Sequence, residues 1–230
     1  MLNSRSAQGS AVRELPRIAV AECAIGHAAG TGSWRASNSR QRLEARHGAS
    51  RIVAVNSSLK LRPVAEDDLP LVARLYSDPE ATGDHEWFGW EETHWIRGGW
   101  DDHQLLAADS GVLIVEVDGL PAGVVTWRER PAGNGSSCWS TGITLLPDAR
   151  GQGHGTVAQR MLVRYLFAYT RVNRVEAEAE LTNIAELRAL EKAGYTREGI
   201  ARGVVFRAGR WRDRAVYSVL RAEVALDEPT

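Results

Sequence analysis

The sequence predicts a mixed α+β sheet domain, and three observations carry that prediction. From residue 59 onward, strand-like apolar runs alternate with helix-period runs. Turn dipeptides mark antiparallel pairs towards both ends of that region, at Asp118-Gly119 and at Ala208-Gly209. Apolar content of 43% and charged content of 25% are ordinary for a globular chain, and 230 residues default to one domain with room for an appendage.

Taken in order, Leu59, Leu61 and Pro63 suggest a short strand, and Asp67 or Asp68 opens an amphipathic helix through Leu71, Leu75 and Tyr76. The stretch "DPEATGDHEWFGWEETHWIRGGWDDHQLL" reads as loop-like. "GVLIVEVDGLPAGVVTWRER" reads as two strands joined at Asp118-Gly119, and "SSCWSTGITLL" as another strand. Residues 154 to 169 carry Val157, Met161, Leu162, Tyr165 and Leu166 at helical spacing. "RVEAEA" is a strand. "NIAELRALEKAG" is a helix with Asn183 as N-cap, Glu186 at its third position and Gly194 as its stop. "VVFRAGRWRDRAVYSVL" is a hairpin turning near Ala208-Gly209.

Residues 1–57 differ in composition. They carry eight arginines against Glu14, Glu22 and Glu44, with Ser, Ala and Gly between and no sustained period. They are expected to be a disordered Arg-rich arm; a targeting segment or an over-extended start is the alternative. "RIAVAECAIG" is broken by Glu22 and makes a poor signal-peptide core. The domain is expected over 58–224, with a tail at 225–230. No window reaches 18 uninterrupted apolar residues, so no transmembrane helix and no membrane partner are expected. Net charge of −1 gives no electrostatic case for nucleic acid. Two cysteines, Cys23 and Cys138, favour a reducing, cytoplasmic compartment.

The stretch "LLPDARGQGHGTVAQRML" raises a question of its own, because Gly151, Gly153 and Gly155 alternate where a strand ends and a helix begins. A glycine near a helix start costs about 1 kcal/mol relative to alanine. A helix N-terminus presents unpaired N–H groups and partial positive charge, which suits a phosphate, and glycines let that backbone approach closely. A P-loop would need a lysine that is absent, and a dinucleotide fingerprint would need glycine where Thr156 stands. The stretch does fit R-x-x-G-x-G, using Arg150, Gly153 and Gly155.

That motif after an apolar strand resembles the acetyl-CoA motif of the GNAT N-acetyltransferase superfamily. "TNIAELRALEKAGYTREGIARG" resembles a later part of the same fold, through Asn183, Ala185, Leu190, Glu191, Lys192, Gly194, Tyr195, Glu198 and Gly199. The pattern is most similar to the branch holding ribosomal-protein alanine N-acetyltransferases and their small-molecule relatives, over about residues 59–224. The resemblance implies a central twisted, mostly antiparallel sheet with a splayed strand pair, flanked by helices. It implies acetyl-CoA as co-substrate, its pantetheine arm pairing with the strand Trp139 to Leu145. Backbone amides of Arg150, Gly151, Gln152, Gly153, His154 and Gly155 would hold the pyrophosphate with Thr156 beside them, the Arg150 side chain would add charge, and Asn183 would reach the cofactor. An amide near Ile143 to Leu145 would stabilise the oxyanion.

Two departures bear on the chemistry. Ser140 stands where many members have a glutamate, and Leu190 where many have a tyrosine acid. Tyr195 reads as core. Attention therefore moves to "GDHEWFGWEETHW", where acids sit among aromatics that suit a cationic amine. Half of the eight tryptophans lie between residues 87 and 100. Glu86 is the first candidate for base or amine anchor, with Asp84, His85, Trp87 and Trp90 as acceptor contacts and Ser140 as a water-orienting group. His85, His94 and His103 lack ligand spacing, so no metal is expected. The expected activity is direct acetyl transfer in a ternary complex to a primary amine of a small molecule: an amino acid derivative, a polyamine or an amine-bearing antibiotic. A protein N-terminal acetyltransferase and a non-catalytic coenzyme-binding module are the alternatives. A homodimer through a strand edge or the last hairpin is compatible with the pattern.

Overall fold

The computed structural model describes residues 58–226; the arm expected over 1–57 and the last four residues of the tail lie outside them. The order is β1 (Leu59–Pro63), α1 (Leu69–Ser77), α2 (Pro79–Thr82), α3 (His94–His103), β2 (Ser110–Val117), β3 (Leu120–Gly133) and β4 (Ser136–Leu145). Then follow α4 (His154–Tyr169), β5 (Arg174–Glu180), α5 (Ile184–Ala193), β6 (Thr196–Arg207) and β7 (Arg210–Leu220). The strands form one sheet in the order β1-β2-β3-β4-β5-β7-β6. Every pairing is antiparallel except β4 with β5, which is parallel.

Three hairpins turn on dipeptides with positive φ at both central residues, as two-residue type I′ turns require. They are Asp118-Gly119, Ala208-Gly209 and Asn134-Gly135, of which the last was not anticipated from sequence. β2 is buried along most of its length, and its side chains alternate between two clusters. Val112 and Ile114 join the cluster beneath α1, α2 and α3, while Leu113 and Val115 join the one beneath α4 and α5. Helices therefore cover both faces of the sheet.

Three expectations need correction. The stretch read as loop-like contains α2 and α3. Asp78 caps α2, its carboxylate accepting from the Glu80 N–H at 3.0 Å, with Pro79 at the first helical position. α3 carries two adjacent glycines, Gly98 and Gly99, which mask its helical period; burial of Ile96 and packing of Trp95 and Trp100 hold it instead. The inward stripe of α4 is also rotated from the expected one. Ala158, Gln159, Leu162, Val163, Leu166 and Phe167 are buried, whereas Val157 and Tyr165 are exposed. Lastly, Asp68 precedes α1 without capping it through its side chain; its carboxylate accepts a forked pair from Arg62, at 2.5 and 2.9 Å.

β4 and β5 pair only at Trp139–Val175, Ser140–Glu176 and Thr141–Ala177, then part. The free segment of β4 is therefore Gly142–Leu145, shorter than the Trp139–Leu145 expected. Thr141 marks the fork. Its hydroxyl donates to the Glu176 carbonyl at 2.9 Å, so the Tyr195 hydroxyl, 3.1 Å away, donates to Thr141. Burial holds the Tyr195 phenol well above its usual range, and the residue is core, as expected.

Candidate active site

Two structures meet where the strands part. The first is the glycine turn. After β4 the chain makes a short turn over Pro147–Ala149 and enters α4 through Gly153, which has φ +86° and supplies no side-chain cap. Gly151 has φ +73°, so both residues occupy the left-handed region that favours glycine. Gly155 has no such constraint. A methyl group there would meet Leu145 Cδ1 only at 3.8 Å, an ordinary contact. Side chains of the turn are tied back: Gln152 Nε2 donates to the Asp148 carbonyl at 2.5 Å, and His154 Nδ1 lies 3.2 Å from the Ala149 carbonyl. No side chain caps α4, so its first amides lack intrahelical partners. Arg150 is not aimed at this surface through its bonded atoms. Its Nε donates to the Leu145 carbonyl at 2.8 Å and its Nη2 to the Ala81 carbonyl, strapping the end of β4 to α2.

The second structure is a cavity at the fork. β4 contributes Ser140, Thr141, Gly142, Ile143 and Thr144; β5 contributes Ala177 and Glu178; α4 and α5 contribute Gln159, Asn183 and Glu186. The opposite wall is Leu75 and Tyr76 of α1 with Thr82, Glu86, Trp87, Phe88, Gly89 and Glu91. Thr126, Trp127 and Arg128 of β3 and Arg214 of β7 complete it. The wall segment Gly83–Glu91 is held by two arginines. Arg207 donates two hydrogen bonds to Glu180, both at 2.7 Å, and a third to the Asp84 carbonyl. Buried Arg214 lies 5.8 Å from the Phe88 ring centroid and 3.9 Å from Glu178 Oε2.

Four glutamates line the cavity against two arginines. Glu86 keeps solvent contact inside the concavity while protein atoms crowd round it. That crowding pushes its carboxyl up, chiefly by desolvation; Arg214 opposes, Glu180 adds and Arg207 opposes. Glu186, half-buried, is pushed up to about 7, first by desolvation and then by the charge of Glu86. Glu91 is raised by desolvation alone.

The residues singled out from sequence divide between these two structures. Glu86, Trp87, Ser140, Ile143 and Asn183 line the cavity, and Ser140 is buried within it. Asn183 also caps α5, its Oδ1 accepting from the Glu186 N–H at 3.2 Å. Residues 150–156 form the turn outside the cavity lining, and Leu145 is the strand end beneath it. Three acceptor candidates do not reach the cavity lining. Asp84 is taken up by Arg207, which its carbonyl accepts from and its charge supports. His85 points its Nδ1 towards Glu180 Oε2 at 3.9 Å. Trp90 is 81% exposed and packs edge-on against Trp87, ring centroids 5.1 Å apart.

Sequence reasoning missed Glu186, Gln159, Thr141 and Arg214. Glu186 was absorbed by its capping position, where a glutamate ordinarily turns back to the N-cap amide. Gln159 carried a readable signal: a polar residue three, four and seven positions before buried Leu162, Val163 and Leu166.

Among the described residues, no group of three or more His, Cys, Asp and Glu is placed to hold a metal, and no helix is long and apolar enough to cross a membrane. Residues 58–196 match the family model described as an acetyltransferase (GNAT) domain. The chain is 40% identical over 73 residues to the probable N-acetyltransferase YjcK of Bacillus subtilis (strain 168), a match that spans 32% of this chain and only 40% of that protein. It is 31% identical over 158 residues to the aminoglycoside N(6')-acetyltransferase type 1 of Klebsiella pneumoniae, covering 63% of this chain and 77% of that one. Its fold superposes on that of the Vibrio cholerae spermidine N-acetyltransferase, crystallised with CoA and spermine. The TM-score is 0.60 at 16% identity, over 72% of this chain and 96% of the other.

Proposed function

The chain belongs to the GNAT acetyltransferase family, and from that premise we propose that residues 58–224 are an acetyl-CoA-dependent N-acetyltransferase acting on a cationic primary amine of a small molecule. The observation that carries the reading is the fork. Gly142–Leu145 is paired on one side only, directly before a glycine turn that leads into a helix with no side-chain cap. An extended pantetheine arm can add to the free side as a strand does. Its pyrophosphate then meets the amides of residues 150–156 at the start of α4. Asn183 lines the same gap and bonds the arm, and an amide from Ile143 to Leu145 takes the charge that develops on the thioester oxygen.

The acceptor half supports a cationic substrate. Glu178 is paired with Arg130 at 3.1 Å, which leaves Glu86, Glu91 and Glu186 among the lining carboxylates for an ammonium group to neutralise. Trp87 and Phe88 offer ring faces to the same charge. Glu86 anchors the amine or takes its proton, and Ser140 orients a water beside it. The named substrates of the similar proteins, spermidine and aminoglycosides, are both cationic amines.

The test is a thermal-shift titration of the full chain and of Gly153→Asp with acetyl-CoA, free CoA and ATP. A ligand at 100 times its Kd stabilises by about 2.7 kcal/mol, which moves the midpoint by several degrees. The expected result is a shift with both coenzymes, none with ATP, and loss of the shift in a folded Gly153→Asp variant. No shift with either coenzyme overturns the reading.

A further inference from the structure

Gln159 is 4% exposed and lines the cavity from α4, yet its Nε2 has no hydrogen-bond partner of ordinary geometry. A buried amide donor without a well-formed partner is costly, so its retention calls for something it serves. Glu186 is the near acceptor. The amide already acts on that carboxyl in the sense that favours its ionised form. Glu186 in turn stands in the first turn of α5, where the helix dipole favours negative charge. Glu86 lines the same cavity, and its charge opposes ionisation of Glu186. Two carboxylates in one cavity, with a buried amide donor beside them, form an arrangement suited to a cation and a transferable proton.

Resting on the acetyltransferase reading, we propose that Glu186 is the general base of the transfer, oriented by Gln159, and that Glu86 holds the incoming ammonium opposite it. The amine arrives as R–NH3+ and gives one proton to the Glu186 carboxylate. The neutral nitrogen forms the N–C bond to the thioester carbonyl carbon, and the C–S bond breaks. The second proton lost from nitrogen goes to the departing thiolate, leaving R–NH–acetyl and the free thiol of CoA. Glu186 returns its proton to water. With its carboxyl pushed up to about 7, Glu186 can hold a proton and release it near neutrality.

Other charged groups around the pair do not substitute for it. Glu178 and Glu180 on β5 lie beside Arg214 of β7 and Arg207 of β6, respectively. Tyr195, after α5, donates to Thr141 and is held neutral.

The experiment measures kcat/KM against pH for the full chain with acetyl-CoA and spermidine, spermine or kanamycin, reading free thiol. Glu186→Gln, Glu186→Asp and Gln159→Leu are compared with the unaltered protein. A base must be ionised to act, so the rate of the unaltered protein is expected to rise through a midpoint near pH 7. Glu186→Gln should lower kcat/KM by about 100-fold and abolish that midpoint, while keeping the coenzyme thermal shift. Glu186→Asp should recover part of the rate. Gln159→Leu should keep the carboxyl but move the midpoint to higher pH, because the lost donor favoured ionisation. A Glu186→Gln variant within threefold of the unaltered rate, with its midpoint intact, overturns the proposal. So does an unaltered protein that binds coenzyme but acetylates none of the three amines. An unaltered protein that binds no coenzyme overturns the acetyltransferase reading itself, and the base assignment with it.

Discussion

The turn from Arg150 to Thr156 and the wall from Gly83 to Glu91 are of similar length and serve the two halves of one site, but they are built in different ways. The turn presents backbone. Two positive-φ glycines and the start of a helix suffice, all within seven residues, and the side chains fold back on the turn itself. The wall presents side chains; a turn at Gly83 and the Trp87–Trp90 contact shape it locally, but its place is set from outside. Arg207 and Arg214, more than 115 residues away in the sequence, hold it down, and its acidic partner Glu186 comes from α5. A surface made of main-chain N–H groups is specified locally and tolerates change around it. A surface made of opposed carboxylates depends on four or five elements arriving together.

That contrast is open to attack at three points. The largest effect is expected at Glu86. Glu86→Gln keeps the shape of the wall but removes the charge that anchors the ammonium, so kcat/KM for an amine should fall by about 10- to 100-fold. Coenzyme affinity, set by the other half, should change by less than threefold. A comparable loss of coenzyme affinity in the thermal-shift titration would show that the halves are not separable.

Arg150 is the second point, because it belongs to the turn by sequence and to the wall by its bonds. As a strap between the Leu145 and Ala81 carbonyls it should matter for stability. Arg150→Ala is expected to cost about 1.5–3 kcal/mol in urea unfolding, since a charged donor is lost. The salt dependence of coenzyme affinity should stay as it was. If instead stability holds and the salt dependence flattens, the guanidinium was serving the phosphate.

The smallest effect is expected at Gly155, where no positive φ is needed and a methyl group fits. Gly155→Ala should stabilise the chain by about 0.5–1 kcal/mol, by removing a helix glycine. Coenzyme binding should weaken by no more than a few-fold. A fall in stability would mean that the turn is more tightly determined than its backbone angles indicate.

How far each half could be read beforehand follows the same line. Asn183 and Gly194 bound α5 as expected, with αL geometry at Gly194, because caps act on their nearest backbone groups. Asp118-Gly119 and Ala208-Gly209 turn their hairpins because φ > 0 is a property of those residues. α3 was hidden, since Gly98 and Gly99 weaken its period and burial of Ile96 makes up for them. Asp84, His85 and Trp90 were grouped with Glu86 by adjacency, yet only Glu86 and Trp87 of that set enter the cavity; a bent segment turns neighbouring side chains in different directions.

The sequence by itself determined the α+β alternation, the hairpin turns at Asp118-Gly119 and Ala208-Gly209, the glycine turn at the head of α4 and the family. Each of these is encoded in residues that lie within a few positions of one another and act on their own backbone. Only the tertiary structure decided where β4 leaves β5, that Arg150 is a strap, and that Glu186, Gln159 and Glu86 line one cavity. Those facts rest on contacts between segments as much as 100 residues apart, and burial, charge and hydrogen bonding at such distances are fixed only when the sheet and its helices pack.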